Sequence, residues 1–226
     1  MTFDLTRRLC AEALGTSFLV MAVVGSGIMA AKLAGGNEAL ALLCNMVSVG
    51  AVLFVIITIF ISISGAHFNP AVSLAMLLRG ALPAGEALPY VIVQILGGCL
   101  GAIVAHVMFG LEPVQLAQTA RTGGGQWLGE FIATFGLVAT IIGCVRFNPA
   151  AIPTAVGLYI SSAYWFTSST SFANPAVTIG RAITDTYAGI APAHVPAFLV
   201  AQLLGAAAAV VVFGWLLKPG SDTQEN

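Results

Sequence analysis

The sequence predicts an all-α membrane protein in which six transmembrane helices and two half-helices form an inverted repeat. Three observations predict it. Of 226 residues, 58% are apolar and 8% charged, against about 25% charged in an ordinary soluble domain. That is too little charge to cover a water-facing surface. Six stretches have spanning length, and the chain repeats itself weakly, with three of those stretches and one short Asn-Pro-Ala segment in each half.

A spanning helix needs about 20 mostly apolar residues. The stretches that qualify are 10–31, 39–63, 87–109, 125–144, 152–170 and 195–217. The first follows a short polar start, and no small-residue cleavage site comes after it, so it reads as a span and not as a removable leader. An even number of spans leaves both termini on one side. Placing the N-terminus inside gathers Arg7, Arg8, Arg79, Arg146 and Lys218 there, against Lys32, Arg121 and Arg181 opposite. The bias predicts a multi-pass protein of the cell (inner) membrane with both termini cytoplasmic. Two further apolar segments, 70–78 and 175–183, reach only about 13 Å each as helices. End to end they make one more crossing of the roughly 30 Å core.

A net charge of -1 without any basic run argues against a nucleic-acid partner. Four cysteines without Cys-x-x-Cys spacing imply neither a metal site nor a disulfide frame. They read as packing residues. No cofactor is implied, and no nucleophile–base pair suggests an enzyme.

The repeat orders the rest. A-E-A-L-G-T around Glu12 matches G-E-F-I-A-T around Glu130, H-F-N-P-A-V around Asn69 matches F-A-N-P-A-V around Asn174, and V-Q-I-L-G-G around Gln94 matches A-Q-L-L-G-A around Gln202. The whole chain reads as one channel domain, 1–226, with repeats of about 8–110 and 125–217. Three spans per half is an odd number, so the halves enter the membrane from opposite sides. Inverted repeats of this kind put their pathway near the midplane, at broken helices in matching positions.

Asparagine is a favoured helix N-cap and proline is favoured at the first helical position. Asn69-Pro70-Ala71 and Asn174-Pro175-Ala176 therefore each begin a half-helix. The inversion brings the two N-termini face to face, each with about half a positive charge. Opposed positive ends repel cations and protons, while the asparagine amides can donate to a neutral solute. The loops that lead in, 63–68 and 168–173, are non-helical at membrane depth. Such backbone survives only where it is buried or lines an aqueous cavity, and its carbonyls would line the pathway as acceptors.

The paired motifs G-A-H-F-N-P-A-V and S-F-A-N-P-A-V, with Glu12, Glu130 and Gln94, resemble the aquaporin, or major intrinsic protein, family from Arg8 to Leu217. The stretch A-N-P-A-V-T-I-G-R-A-I-T-D-T-Y-A-G-I is similar to bacterial aquaglyceroporin-like channels associated with arsenic-resistance operons. The resemblance implies a homotetramer in the lipid bilayer, with one pore per subunit passing small neutral solutes and no ions.

The family's narrowest point is usually a ring of four positions that includes an arginine three residues after the second motif's asparagine. Carried over, that ring becomes Val49, Ser162, Ser171 and Val177, without arginine, histidine or an aromatic. Losing the arginine removes a bulky cation and its five donors. The pore should pass glycerol-like polyols or metalloid acids such as arsenite, and water as well. A strict water channel is the alternative within the family; an ion-coupled secondary transporter is the alternative outside it.

Arg181, four residues beyond Val177, reads as a loop arginine paired with Asp185, with a mouth-lining position as the second reading. Glu12 and Glu130, ionisable groups at membrane depth, read as acceptors for the lead-in loops, and Gln94 and Gln202 as interhelical hydrogen-bonding residues. His67 reads as fixing its loop, with a pH gate as the alternative. His106 carries no message, and Tyr159, Tyr164 and Trp165 read as bundle packing. Gly97, Gly98, Gly101, Gly205 and Ala206 predict close helix contacts.

Overall fold

The structure is a computed structural model and describes residues 3–218. Among them are eight α-helices, two 3-10 turns and no strand. The helices are α1 (Leu5–Leu33), α2 (Glu38–Ser64), α3 (Pro70–Leu78), α4 (Ala84–Met108), α5 (Gly124–Phe147), α6 (Ile152–Phe166), α7 (Pro175–Ala182) and α8 (Val195–Leu216).

Local chemistry sets the ends. Asp4 caps α1 by accepting from the Arg7 amide at 2.9 Å, and Asn37 caps α2 by accepting from the Leu40 amide at 3.0 Å. At the other end of α2, Gly65 stands at φ 89°, the left-handed turn that closes a helix without a Cβ penalty.

Five helices, α1, α2, α4, α5 and α8, are long and apolar enough to cross a membrane. The span expected over 152–170 is shorter, since α6 ends at Phe166. The polar run Thr167-Ser168-Ser169-Thr170-Ser171 that follows competes for its own backbone and leaves the helix. At about 22 Å, α6 needs the turn Pro149–Ala151 before it, worth about 6 Å, to approach the thickness of the core.

The two halves pack alike. α1 lies on α2 and α4 as α5 lies on α6 and α8, and each short helix lies on both α4 and α8. Small residues allow the close crossings. A Cβ at Gly97 or Gly101 of α4 would overlap the Ala13 or Ser17 carbonyl of α1, and one at Gly205 of α8 would overlap the Phe131 carbonyl of α5. Outward the bundle is apolar: Leu33, Phe147, Val211 and Trp215 are each more than 70% exposed, a surface suited to hydrocarbon.

Candidate functional site

α3 and α7 meet at their N-terminal ends. The Asn69 side-chain oxygen accepts from the Ala71 amide at 2.8 Å, and that of Asn174 accepts from the Ala176 amide at 2.9 Å. Each side-chain nitrogen then crosses to the other half. Asn69 Nδ2 donates to the Ala173 carbonyl and Asn174 Nδ2 to the Phe68 carbonyl, both at 2.8 Å. A primary amide carries two N–H donors, so each asparagine keeps one beyond this cross-link.

The loops leading into the two helices are unusual and nearly identical in backbone. Positive φ occurs at Gly65, Ala66 and Phe68 (89°, 52° and 48°) and again at Thr170, Ser171 and Ala173 (61°, 51° and 48°). Left-handed backbone at a non-glycine residue costs about 1–3 kcal/mol and persists only where the surroundings enforce it. The buried glutamates enforce it here. Glu12 accepts from the His67 and Phe68 amides, at 3.0 and 2.7 Å, and from the Ser64 hydroxyl and the Gln94 amide. Glu130 accepts from the Phe172 and Ala173 amides, both at 2.8 Å, and from Gln202. Gln94 and Gln202 also donate to Ser73 and Thr178 on the half-helices. Hydrogen bonds to charged groups contribute about 1.5–3 kcal/mol each, enough for one carboxylate to hold one strained loop.

A cavity of about 340 Å³ runs through the junction. Both asparagines and the lead-in residues Gly65 to Phe68 and Ser171 to Ala173 line it. Arg8 lies at one end and Arg181 at the other, and the walls between are largely aliphatic, with Val49, Val72, Ile160 and Val177 among them.

The family description "Major intrinsic protein" matches residues 1–150. The aquaglyceroporin AqpS of Rhizobium meliloti is 54% identical over 96% of this chain and 93% of its own length. The chain belongs to the major intrinsic protein family. A probable aquaporin of Archaeoglobus fulgidus, AqpM, is 31% identical over 96% of the chain and all of its own length. The fold also matches that of the aquaglyceroporin from Plasmodium falciparum, with a TM-score of 0.73 over 93% of this chain and 96% of that one, at 20% identity.

Of the ring of four carried over from the family, Val49, Ser171 and Val177 lie on the cavity wall, and the Ser171 hydroxyl is buried without a hydrogen-bond partner among the described residues. Ser162 does not lie there. It is exposed on the outer face of α6, with its hydroxyl turned back to the Tyr159 carbonyl at 2.9 Å. Tyr164 lines the cavity instead. It stands ten residues before Asn174, where the family count of twelve selects Ser162. A signal for it was present: Ile152, Val156, Ile160 and Tyr164 recur every four residues, one face of a helix, and all four line the cavity.

Arg181 also departs from its first reading. It is buried on the cavity wall, its Nε donates to the Ala188 carbonyl, and its guanidinium lies 3.4 Å from the Phe172 ring centroid. Asp185 instead accepts from the Gln118 amide. Arg121, from the loop after α4, packs on Phe172 as well, at 5.3 Å, and donates to the Gly189 carbonyl at 2.8 Å. Burial pulls the Arg121 guanidinium below its ordinary pKa and pushes the neighbouring Tyr187 phenol up.

His67 is held on two sides, its ring against Tyr90 and its Nδ1 3.1 Å from the Ser73 hydroxyl. His106, silent in the sequence, is fully buried and bridges the Pro113 carbonyl and the Thr184 hydroxyl. It ties the loop after α4 to the segment after α7.

Proposed function

We propose that the chain is a passive channel for small neutral solutes: glycerol-like polyols, neutral metalloid acids such as arsenous acid, and water. The observation that carries this reading is Val177 on the cavity wall, where the family resemblance puts arginine, together with Val49 on the same wall. An aliphatic wall accepts the carbon face of a polyol, and Ser171, Tyr164 and the free asparagine N–H groups meet its hydroxyls. A solute leaving water needs such replacements, since unpaired polar groups cost several kcal/mol in an apolar medium. Asn69-Pro70-Ala71 and Asn174-Pro175-Ala176 hold the midpoint, where two positive helix ends oppose protons. The name of the Rhizobium meliloti relative, an aquaglyceroporin, supports a solute larger than water.

A coupled transporter would need a carboxylate free to bind its driving ion. Glu12 and Glu130 are engaged as acceptors on both oxygens, which favours the passive reading. We place the protein in the inner membrane with both termini cytoplasmic, as the lysine and arginine bias supports, and as a homotetramer whose exposed apolar faces meet lipid or a neighbouring subunit.

The test is stopped-flow light scattering on proteoliposomes with water, glycerol and arsenous acid in turn. Swelling in the two larger solutes, well above empty vesicles, is expected. Water flux alone would overturn the reading in favour of a strict water pore.

A further inference from the structure

The two half-helices can be laid over one another position by position. With Asn69 matched to Asn174, Val72 falls on Val177 and Met76 on Arg181. All four line the cavity. One turn separates each valine from its outer partner, about 6 Å along the axis. The repeat therefore has two rings on each side of the midpoint. The inner ring is valine in both halves, and the outer is a thioether in one half and a guanidinium in the other.

Arg181 is fixed. Its Nε is tied to the Ala188 carbonyl and its face rests on Phe172. The Phe172 amide is in turn held by Glu130 at 2.8 Å. The Arg181 guanidinium makes no further hydrogen bond and no salt bridge among the described residues, so its terminal N–H groups are left to the cavity it lines. Arg121 packs on the same ring and also forms no salt bridge among the described residues. Two guanidinium cations thus share one aromatic ring at this mouth with no paired carboxylate. Glu130, engaged with the loop amides behind that ring, acts on both cations only from beyond salt-bridge distance. Charge without a salt-bridge partner in a low-dielectric setting acts over a long range.

We propose that Arg181, supported by Arg121, is the cation barrier and the first hydrogen-bond donor for solute at this mouth. The arrangement separates two tasks. Val177 leaves the inner ring open to larger solutes, while the positive charge comes from a residue one turn further along α7, with its guanidinium resting on Phe172. This rests on the neutral-solute reading for the solutes it admits, but the barrier itself does not depend on which solute passes.

The experiment compares parent, Arg181→Met and Arg181→Lys proteoliposomes for potassium permeability, with water and glycerol flux recorded on the same vesicles. Methionine is the residue at the matching position of the other half, so the change gives both mouths the same side chain. Arg181→Met should raise potassium permeability about tenfold or more in vesicles whose water permeability still exceeds that of empty vesicles, and Arg181→Lys should stay cation-tight. If Arg181→Met does not insert, Arg181→Gln carries the same comparison, and Arg121→Met should raise the leak by a smaller factor. Water-permeable vesicles of the neutral variants that hold potassium as tightly as the parent would overturn the proposal. A parent that passes water but no glycerol would overturn the neutral-solute reading and leave the barrier standing.

Discussion

The two half-helices are copies of each other where they begin and differ where they end. At their starts, the same cap, the same cross-link to the opposite carbonyl and the same glutamate anchor occur twice. At their far ends, the mouth beyond α3 carries Arg8, whose charge is matched by Glu86 at 2.7 Å and whose Nε donates to Tyr90 at 2.9 Å. The mouth beyond α7 carries Arg181 and Arg121, neither in a salt bridge among the described residues. The lesson is that symmetry is kept where two dipoles must oppose each other, and released at the mouths, where each side meets a different solution.

If the centre is symmetric in energy as well as geometry, removing either anchor should have similar consequences. Glu12→Ala leaves the His67 and Phe68 amides and Gln94 without their acceptor, and Glu130→Ala does the same to Phe172, Ala173 and Gln202. Each unsatisfied buried group costs about 1–3 kcal/mol. Both variants should lose most of their folded, detergent-stable fraction in size-exclusion and thermal-melt assays. A large loss from one and none from the other would break the symmetry argument.

A smaller effect is expected at the helix crossings. Gly97→Ala puts a Cβ into the Ala13 carbonyl, and overpacking of this kind costs about 1–3 kcal/mol. Gly205→Ala, its counterpart against Phe131, should lower the melting temperature by a similar amount. At the mouths the change should be smaller again. Glu86→Gln unmasks Arg8, but the pair is 22% exposed on each side, so stability should fall by no more than about 1 kcal/mol in a thermal melt. Ser162→Ala, on the outer face of α6, should leave water and glycerol flux unchanged, whereas Tyr164→Ala should change their ratio.

Much of the centre was legible because its chemistry is local. Asn-Pro at a helix start, a buried glutamate and a glutamine recur in order in both halves, and their physical roles follow from residue type. Two features were not legible. The left-handed backbone falls on Ala66, Phe68, Thr170, Ser171 and Ala173, residues with no preference for it. Groups far off in the sequence, the glutamates and the asparagine of the opposite half, hold the loops in it, and residue type at these positions does not announce it. The place of Tyr164 was hidden by counting back through a loop whose length was assumed, where the four-residue stripe along α6 would have found it. The surroundings of Arg181 are non-local for a related reason. Asp185 is its sequence neighbour, but the chain turns Asp185 to Gln118 and brings Phe172 and Ala188 to the arginine.

The measurement that tests the account most directly is glycerol flux against water flux for the parent and for Val177→Arg in the same vesicles. The parent should pass both, and the arginine variant should lose most of its glycerol flux while keeping a substantial part of its water flux. Equal glycerol flux in the two proteins would contradict it, because Val177 would then not set the width of the pathway.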